Sequence, residues 1–443
     1  MITRRNFVKK TSMVVGTGFV LPHVLGKNLV SAAEKATTVA ASDKIRVGLI
    51  GCRNMGWTNM ADFLLLPEVD CVALCDVDQK FLTNRNVDVQ KIRGNKPKLF
   101  GDYRKMLDMK NLDIVIVGTP DHWHCLNMVD ACAAGKDVYV EKPIANTIAE
   151  CDLMALAAKR YDRVVQVGQQ QRSGNHWKAM IDFINTGKLG KIARVDVWGN
   201  FNYAAGETPV KNQGIPVGLD YEMWIGPGAY RDYNPLHLHR WWRLYWSYGG
   251  GLMTDWGVHL LDMALWGVGE TGMPRRIVGL GGKYTYPENT PETFDTQSVI
   301  YDFDDYQIQW NQCAGTETGF WGRNYGLAFK GTKGTLVANR ANWEVFPEDK
   351  KDEELASQKM SADGQDHKMH VKEFVNCVKT RNKNTACTID NGSLCAKYAH
   401  LGNIAARTGH SLYYDSEKQT FNDPVADKYI TPTYRTPWKL PQL

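Results

Sequence analysis

The stretch "KIRVGLIGCRNMGW" at residues 44–57 decides the fold. A run of branched apolar residues leads into Gly51, and the next glycine comes only at Gly56. This reads as a buried strand turning into a helix through nearly the G-x-G-x-x-G pattern, whose glycines let a backbone approach a pyrophosphate. Arg53 stands where the middle glycine belongs. Taken alone the turn is ambiguous, so what surrounds it has to settle the reading.

Strand and helix patterns alternate after the turn. "MGWTNMADFLLL" is helix-like, and "VDCVALCDVD" is a second β-rich run ending in acids. "NLDIVIVGTP" is a third buried strand, "WHCLNMVDACAAGK" a helix closing at Gly135, and "DVYVEKP" a fourth strand. Thr147 with Glu150 makes a capping-box signature for a further helix, and "RVVQVG" is a fifth strand. This spacing predicts an α/β fold with a doubly wound parallel Rossmann sheet.

Beyond about residue 190 the texture changes. "KIARVDVWGNF", "RRIVGLGGKYTY", "TQSVIYDF", "YQIQWNQ" and "YGLAFKGTKGTLVAN" read as strands, with hairpin candidates at Asp304-Asp305 and between Gly331 and Gly334. A C-terminal α+β domain with a large open, mostly antiparallel sheet is expected. The expected boundaries are a leader at 1–41, a nucleotide-binding domain at 42–170, a substrate and oligomerisation domain at 171–410, and an extended, proline-marked tail at 411–443.

The chain has 443 residues, is 43% hydrophobic and carries a formal charge of +5, a size that suits two or three cored domains. That charge lies wholly in the first 41 residues, where Arg4, Arg5, Lys9, Lys10, Lys27 and Lys35 face only Glu34. The remainder is formally neutral, which argues against nucleic acid as a partner. The leader starts basic and continues through an apolar, glycine-containing block too short for a membrane span. "TRRNFVK" resembles the twin-arginine export signal of bacteria, which implies a periplasmic protein exported folded, with its cofactor loaded. The 10 cysteines form no C-x-x-C pair and mostly sit in apolar patterns, so buried thiols are expected, with neither disulfides nor a zinc site.

The context resolves the opening turn. Asp76 closes the second strand, where an acid would accept the adenosine ribose hydroxyls and repel a 2′-phosphate, favouring NAD over NADP. The turn itself (Gly51, Arg53, Asn54, Met55, Gly56) would hold the pyrophosphate at a helix N-terminus, with Arg53 lying along it or turned outward. Thr119, Pro120 and His124, then Glu141 and Lys142 before Pro143, fall at or just after the carboxyl ends of the third and fourth strands, which face the ligand crevice.

Together the glycine turn, "TPDHWH", "GKDVYVEKP", "INTGKLGKI" and "YGGGLMTDWGVHLLDMALW" resemble the glucose-fructose oxidoreductase, inositol dehydrogenase and rhizopine-catabolism (Gfo/Idh/MocA) family across roughly residues 44–410. The resemblance implies NAD(P)-linked redox chemistry on a small-molecule carbohydrate, and a homo-oligomer. It also implies that Lys142 contacts the hydroxyl being oxidised and that Asp255 and His259 form the D-x-x-x-H pair, with the histidine as proton acceptor. Four-residue spacing on a helix independently lets Asp255 and His259 converge, and an imidazole beside a cation suits removal of an alcohol proton. Gln170 is expected on the cofactor. Arg172, Arg240 (or Arg243), Trp242, Trp246 and Tyr248 are expected on the sugar, within the aromatic stretch "HLHRWWRLYWSYGGG" and "GQQQR". No metal is expected, since two ligands make a poor cage.

Three functions fit. The first is an exported NAD-dependent oxidoreductase acting on a sugar or glycoside. The second is an NAD-requiring glycoside hydrolase using transient oxidation and elimination. It ranks lower because "YGGGLMTDWGVH" departs from the motif of the α-N-acetylgalactosaminidase group. The third is a non-catalytic sugar-binding relative.

Overall fold

The interior residues of strand β1 (Ile45–Ile50) are buried because parallel neighbours flank it on both sides, β2 (Val69–Cys75) and β4 (Ile114–Val117). Each fully buried valine or leucine such as Val47 and Leu49 contributes ~1.5–3 kcal/mol. The computed structural model describes residues 44–443, so the expected leader and the opening of the 42–170 segment lie outside the described residues.

The first sheet continues with β3 (Lys98–Phe100), β5 (Asp137–Val140) and β6 (Val165–Val167) in the all-parallel order β3-β2-β1-β4-β5-β6. Sequence patterning gave five of these strands. It missed β3, which is three residues long, lies at the sheet edge and exposes Lys98 and Leu99, so no apolar run marks it. Helices α1 (Asn54–Phe63), α2 (Gln79–Arg93), α3 (Asp121–Ala133) and α4 (Ile148–Arg160) form the crossovers. The winding reverses between β1 and β4, and such a reversal opens a crevice at the carboxyl ends of the strands.

The second sheet comprises β7 (Ile192–Gly199), β8 (Arg276–Gly282), β9 (Thr296–Asp302), β10 (Gln307–Cys313), β11 (Tyr325–Gly331), β12 (Gly334–Ala338), β13 (Asn342–Pro347), β14 (Lys359–Ser361) and β15 (Ser411–Leu412). Their order is β14-β13-β12-β11-β7-β10-β9-β8-β15, antiparallel except for the β7 and β10 pair. Both expected hairpins are present, β9 to β10 and β11 to β12. In β10, Ile308 and Trp310 face inward, fully buried, while Gln307 and Gln309, which alternate with them, are only half-buried. Helices α5 (Asn175–Asn185), α6 (Val258–Val268) and α8 (Ile389–Thr408) supply much of the rest of this core. Helix α7 (Asp366–Thr380) turns instead to the first sheet, where Phe374 meets Phe63 and Tyr139 edge-on.

Residues 411–443 are more than a plain extended tail. They add β15, a small hairpin of Tyr414–Asp415 with Thr420–Phe421, and a helical turn at Pro424–Asp427. Trp438 then folds back edge-on to Trp123 of α3 at 4.8 Å, because the tail carries aromatic groups that the first domain can bury.

The glycine turn is set by close backbone approach. Gly51 has φ +86, and a Cβ on Gly56 would sit 2.0 Å from the Gly51 carbonyl oxygen. Gly56→Ala is therefore expected to lower the urea-unfolding free energy by ~1–3 kcal/mol through overpacking. Gly101→Ala, at a position with open space around its Cβ, serves as the control and is expected to leave the midpoint unchanged.

Candidate active site

The crevice begins at the N-terminus of α1. Arg53, in extended conformation, precedes the helix and no side chain caps it, so the first-turn N–H groups remain free for an anion. Gly118 lies against the turn, where a Cβ would meet the Gly56 Cα at 2.5 Å, so small residues line a cradle of backbone. At the end of β2, Asp76 accepts the Cys52 N–H at 2.7 Å and the Asp78 N–H at 2.9 Å, one on each carboxylate oxygen. Each oxygen keeps a second lone pair for a ribose hydroxyl. Burial pushes its pKa up to about 6, against the pull of those amides. The cradle, the uncapped helix and the acid fit a dinucleotide.

Arg53 takes neither of its two expected courses. Its guanidinium donates to the carbonyl of His239 and lies 5.5 Å from the Phe81 ring. The His239 imidazole meets Asp78 at 2.9 Å, and the Gln79 N–H donates to the Gly218 carbonyl. A segment following β7 is thus tied to the end of β2. Asn54 is exposed with φ +41, and Met55 beside it is half-buried.

Beyond β4, Thr119 bonds Asn127 at 3.0 Å and Pro120 precedes α3. His124 places its ring nitrogens 2.7 Å from the carbonyls of Thr119 and Pro143, between the β4 and β5 loops, and its one N–H donates to one of them. It thus sits between the two loops at the crevice, where a cofactor contact is expected. Burial lowers its pKa to about 4. Glu141 accepts from Asn59 Nδ2 at 2.9 Å, and Asn59 in turn is held at 2.7 Å by His367 of α7. Gln170 opens a short turn after β6 and is half-buried.

Lys142, Asp255 and their neighbours form the chemical centre. Lys142 Nζ lies 2.7 Å from Asp255 Oδ1 and donates to the Asp255 carbonyl at 2.8 Å. Arg243 Nε approaches the same carboxylate at 3.1 Å, and the Tyr203 hydroxyl donates to Asp255 Oδ2 at 2.5 Å. Burial alone would raise the Asp255 carboxyl, but Arg243 and Lys142 hold it well below the usual range. Residues Met253–Gly257 wind as a π-turn before α6, and turns of this kind concentrate at functional sites. His259 in the first turn of α6 is 4% exposed and its Nδ1 meets no partner. Burial, then the charges of Lys142 and Arg340, push its pKa well below the ordinary value, so the ring is neutral.

The residues expected on the sugar are only partly brought here. Arg172 is held in a bidentate pair by Asp262, with bonds of 2.7–2.9 Å. Arg240 is exposed and pairs with Glu207. Tyr248 is fully buried and donates to the Ala229 carbonyl, in a cluster that also holds Trp242. Trp246 lies under the Arg407 guanidinium at 4.5 Å. Trp242, Tyr245 and Tyr248 therefore serve packing, while Arg243 of the same stretch reaches Asp255.

Sequence reasoning missed Tyr203, Asp121, Asn59, His367 and Arg340. Asp121 had a signal, since it follows Thr119-Pro120 at the start of α3. It is 2% exposed, and its Oδ2 has no partner. Burial raises its pKa to about 8 despite Arg243 and Lys142 nearby. Among the described residues no group of three His, Cys, Asp or Glu side chains could hold a metal, and all 10 cysteines are unpaired.

Residues 45–169 match the model described as "Oxidoreductase family, NAD-binding Rossmann fold". Residues 174–274 and 333–440 match "Oxidoreductase family, C-terminal alpha/beta domain", and 227–337 match "GFO/IDH/MocA C-terminal domain". The chain is similar to an α-N-acetylgalactosaminidase of Shewanella oneidensis, 27% identical over 204 residues, 43% of this chain and 44% of that protein. The match thus spans under half of that curated relative's length. The fold is that of the aldose-aldose oxidoreductase of Caulobacter crescentus (19% identical, TM-score 0.63, covering 84% of this chain and 99% of that one). A levoglucosan dehydrogenase solved with NADH and levoglucosan shares it too (17% identical, TM-score 0.63, covering 84% and 99%).

The raised pKa of Asp121 has a stability consequence. The folded state keeps a proton that the unfolded carboxyl releases near pH 4, so stability drains away as pH rises towards 8. In urea titrations from pH 5 to 9, Asp121→Asn is expected to gain stability over the parent by at most ~1.4 kcal/mol per pH unit, levelling above pH 8. A gap independent of pH would show that the carboxyl is ionised throughout.

Proposed function

The chain belongs to the Gfo/Idh/MocA oxidoreductase family, and on that premise we propose that it oxidises a hydroxyl of a sugar or glycoside, with NAD in the crevice between β1 and β4. The observation that carries this reading is the single carboxylate of Asp255, which anchors Lys142 at 2.7 Å close to a neutral, buried His259. When bound, NAD supplies the hydride acceptor. His259 takes the hydroxyl proton, and Lys142 stabilises the oxygen as negative charge builds on it. Asp255, fixed by Tyr203 and Arg243, holds Lys142 in place and itself stays ionised. The C–H electron pair leaves as hydride, the proton goes to the imidazole, and the carbinol becomes a ketone.

A second reading is favoured by the likeness to an α-N-acetylgalactosaminidase. A ketone at C3 acidifies the C2 proton, and loss of that proton expels the C1 substituent. Water then adds at C1 and the hydride returns, giving net hydrolysis without an external oxidant. The twin-arginine pattern of the leader supports export to the periplasm with NAD already loaded, where a cycle that returns the hydride suits scarce free cofactor. Family resemblance supports a homo-oligomer through the open face of the second sheet.

Incubating the purified protein with 4-nitrophenyl glycosides, without added NAD, separates the two outcomes. Formation of a keto sugar, up to one equivalent per retained NAD, supports the oxidoreductase, and repeated turnover to nitrophenol supports the hydrolase. Lys142→Met and His259→Asn are expected to retain sugar binding while losing turnover by ~10² or more. Full turnover in both variants would leave only the sugar-binding role. Because burial holds His259 neutral, the acid limb of kcat/KM is expected well below pH 6.5. A limb at or above 6.5 would assign the essential base elsewhere.

A further inference from the structure

Most of the cations near this centre are answered by a carboxylate. Lys142 and Arg243 share Asp255, Arg172 has Asp262, and Arg240 has Glu207. Arg340, in the turn that follows β12, has no carboxylate within ion-pairing distance among the described residues. Its Nε donates to Gln171 Oε1 at 3.1 Å, and its guanidinium lies 4.4 Å over the Trp256 ring. Its Nη2 is buried without a partner. A half-buried guanidinium held on two sides still has donors free, and an anion would complete it.

Its position ties it to the reacting centre. Gln171, which holds Arg340, turns its amide to the His259 carbonyl at 3.4 Å. Trp256 lies between Asp255 and His259 in sequence, and its half-buried ring stacks on Phe201 at 4.4 Å and meets Tyr325 at 4.7 Å. Arg340 is thus carried on an aromatic stack beside the residues of the reacting centre. Lys142, Arg243 and Arg340 gather here with the carboxylates of Asp255 and Glu141, and Asp366, whose pKa burial raises, lies near Arg340 without forming an ion pair.

We propose that Arg340 pairs with a carboxylate on the substrate, so that the sugar taken by this crevice is a uronic acid or a glycoside of one. A planar, pre-positioned guanidinium matches a carboxylate through two parallel hydrogen bonds, which an ammonium does not reproduce. This specificity rests on the reading of the same crevice as a sugar site, and it adds the charge of the ligand.

Calorimetric titration of the full chain with D-glucuronate and D-galacturonate, against D-glucose and D-galactose, tests it. One of the uronates is expected to bind at least ~10-fold more tightly than its neutral counterpart, as a charge-assisted pair supplies. Arg340→Met is expected to abolish that preference and Arg340→Lys to keep part of it, with thermal melts confirming that both variants fold. Neutral sugars binding as tightly as uronates, or a preference that survives Arg340→Met, would overturn the proposal. An Arg340-dependent preference with neither a ketone nor a cleaved glycoside formed would support the anion subsite and remove the redox reading instead.

Discussion

The buried ion pair of Lys142 and Asp255 is the constraint around which the rest is arranged. The lysine follows β5 at the end of the first sheet, and the aspartate lies in the π-turn before α6, 113 positions further along the chain. Removing one partner of a buried pair leaves an unpaired charge and typically costs ~3–5 kcal/mol. The two halves of the molecule must therefore meet correctly for either to be stable here. Tyr203 and Arg243 share the same carboxylate, so a change at any of the four is felt by the others.

Around that pair the molecule supplies support from unexpected directions. His367 of α7 fixes Asn59, and Asn59 fixes Glu141 beside the lysine, so a helix late in the chain helps to set the β5 loop. The segment after β7 is tied to the glycine turn and to the end of β2 through Arg53, His239 and Asp78.

Much of this was legible in the sequence. Apolar runs alternating with helical periods marked five of the six parallel strands, and the turn residues marked both hairpins. The glycine turn, Asp76, Lys142 and the Asp255 and His259 pair were legible because each follows from a local pattern. What escaped depends on distant partners. Arg340, Tyr203 and His367 lie in unremarkable local sequence, and only the closing of the second sheet and of α7 brings them to the centre. Arg53 was read as a phosphate neighbour, but its partner is a carbonyl 186 positions away. The aromatic stretch misled in the opposite sense, because rings dense enough to suggest a sugar platform are also what a buried cluster such as that of Tyr248 and Trp242 requires.

Mass spectrometry of the nucleotide released from protein purified without added cofactor bears on the centre most directly. Retained NAD or NADH is expected, since the Asp76 carboxylate keeps lone pairs for ribose hydroxyls and its charge disfavours a 2′-phosphate. Recovery of NADP would contradict the role of Asp76, and recovery of no nucleotide would contradict a tightly held cofactor.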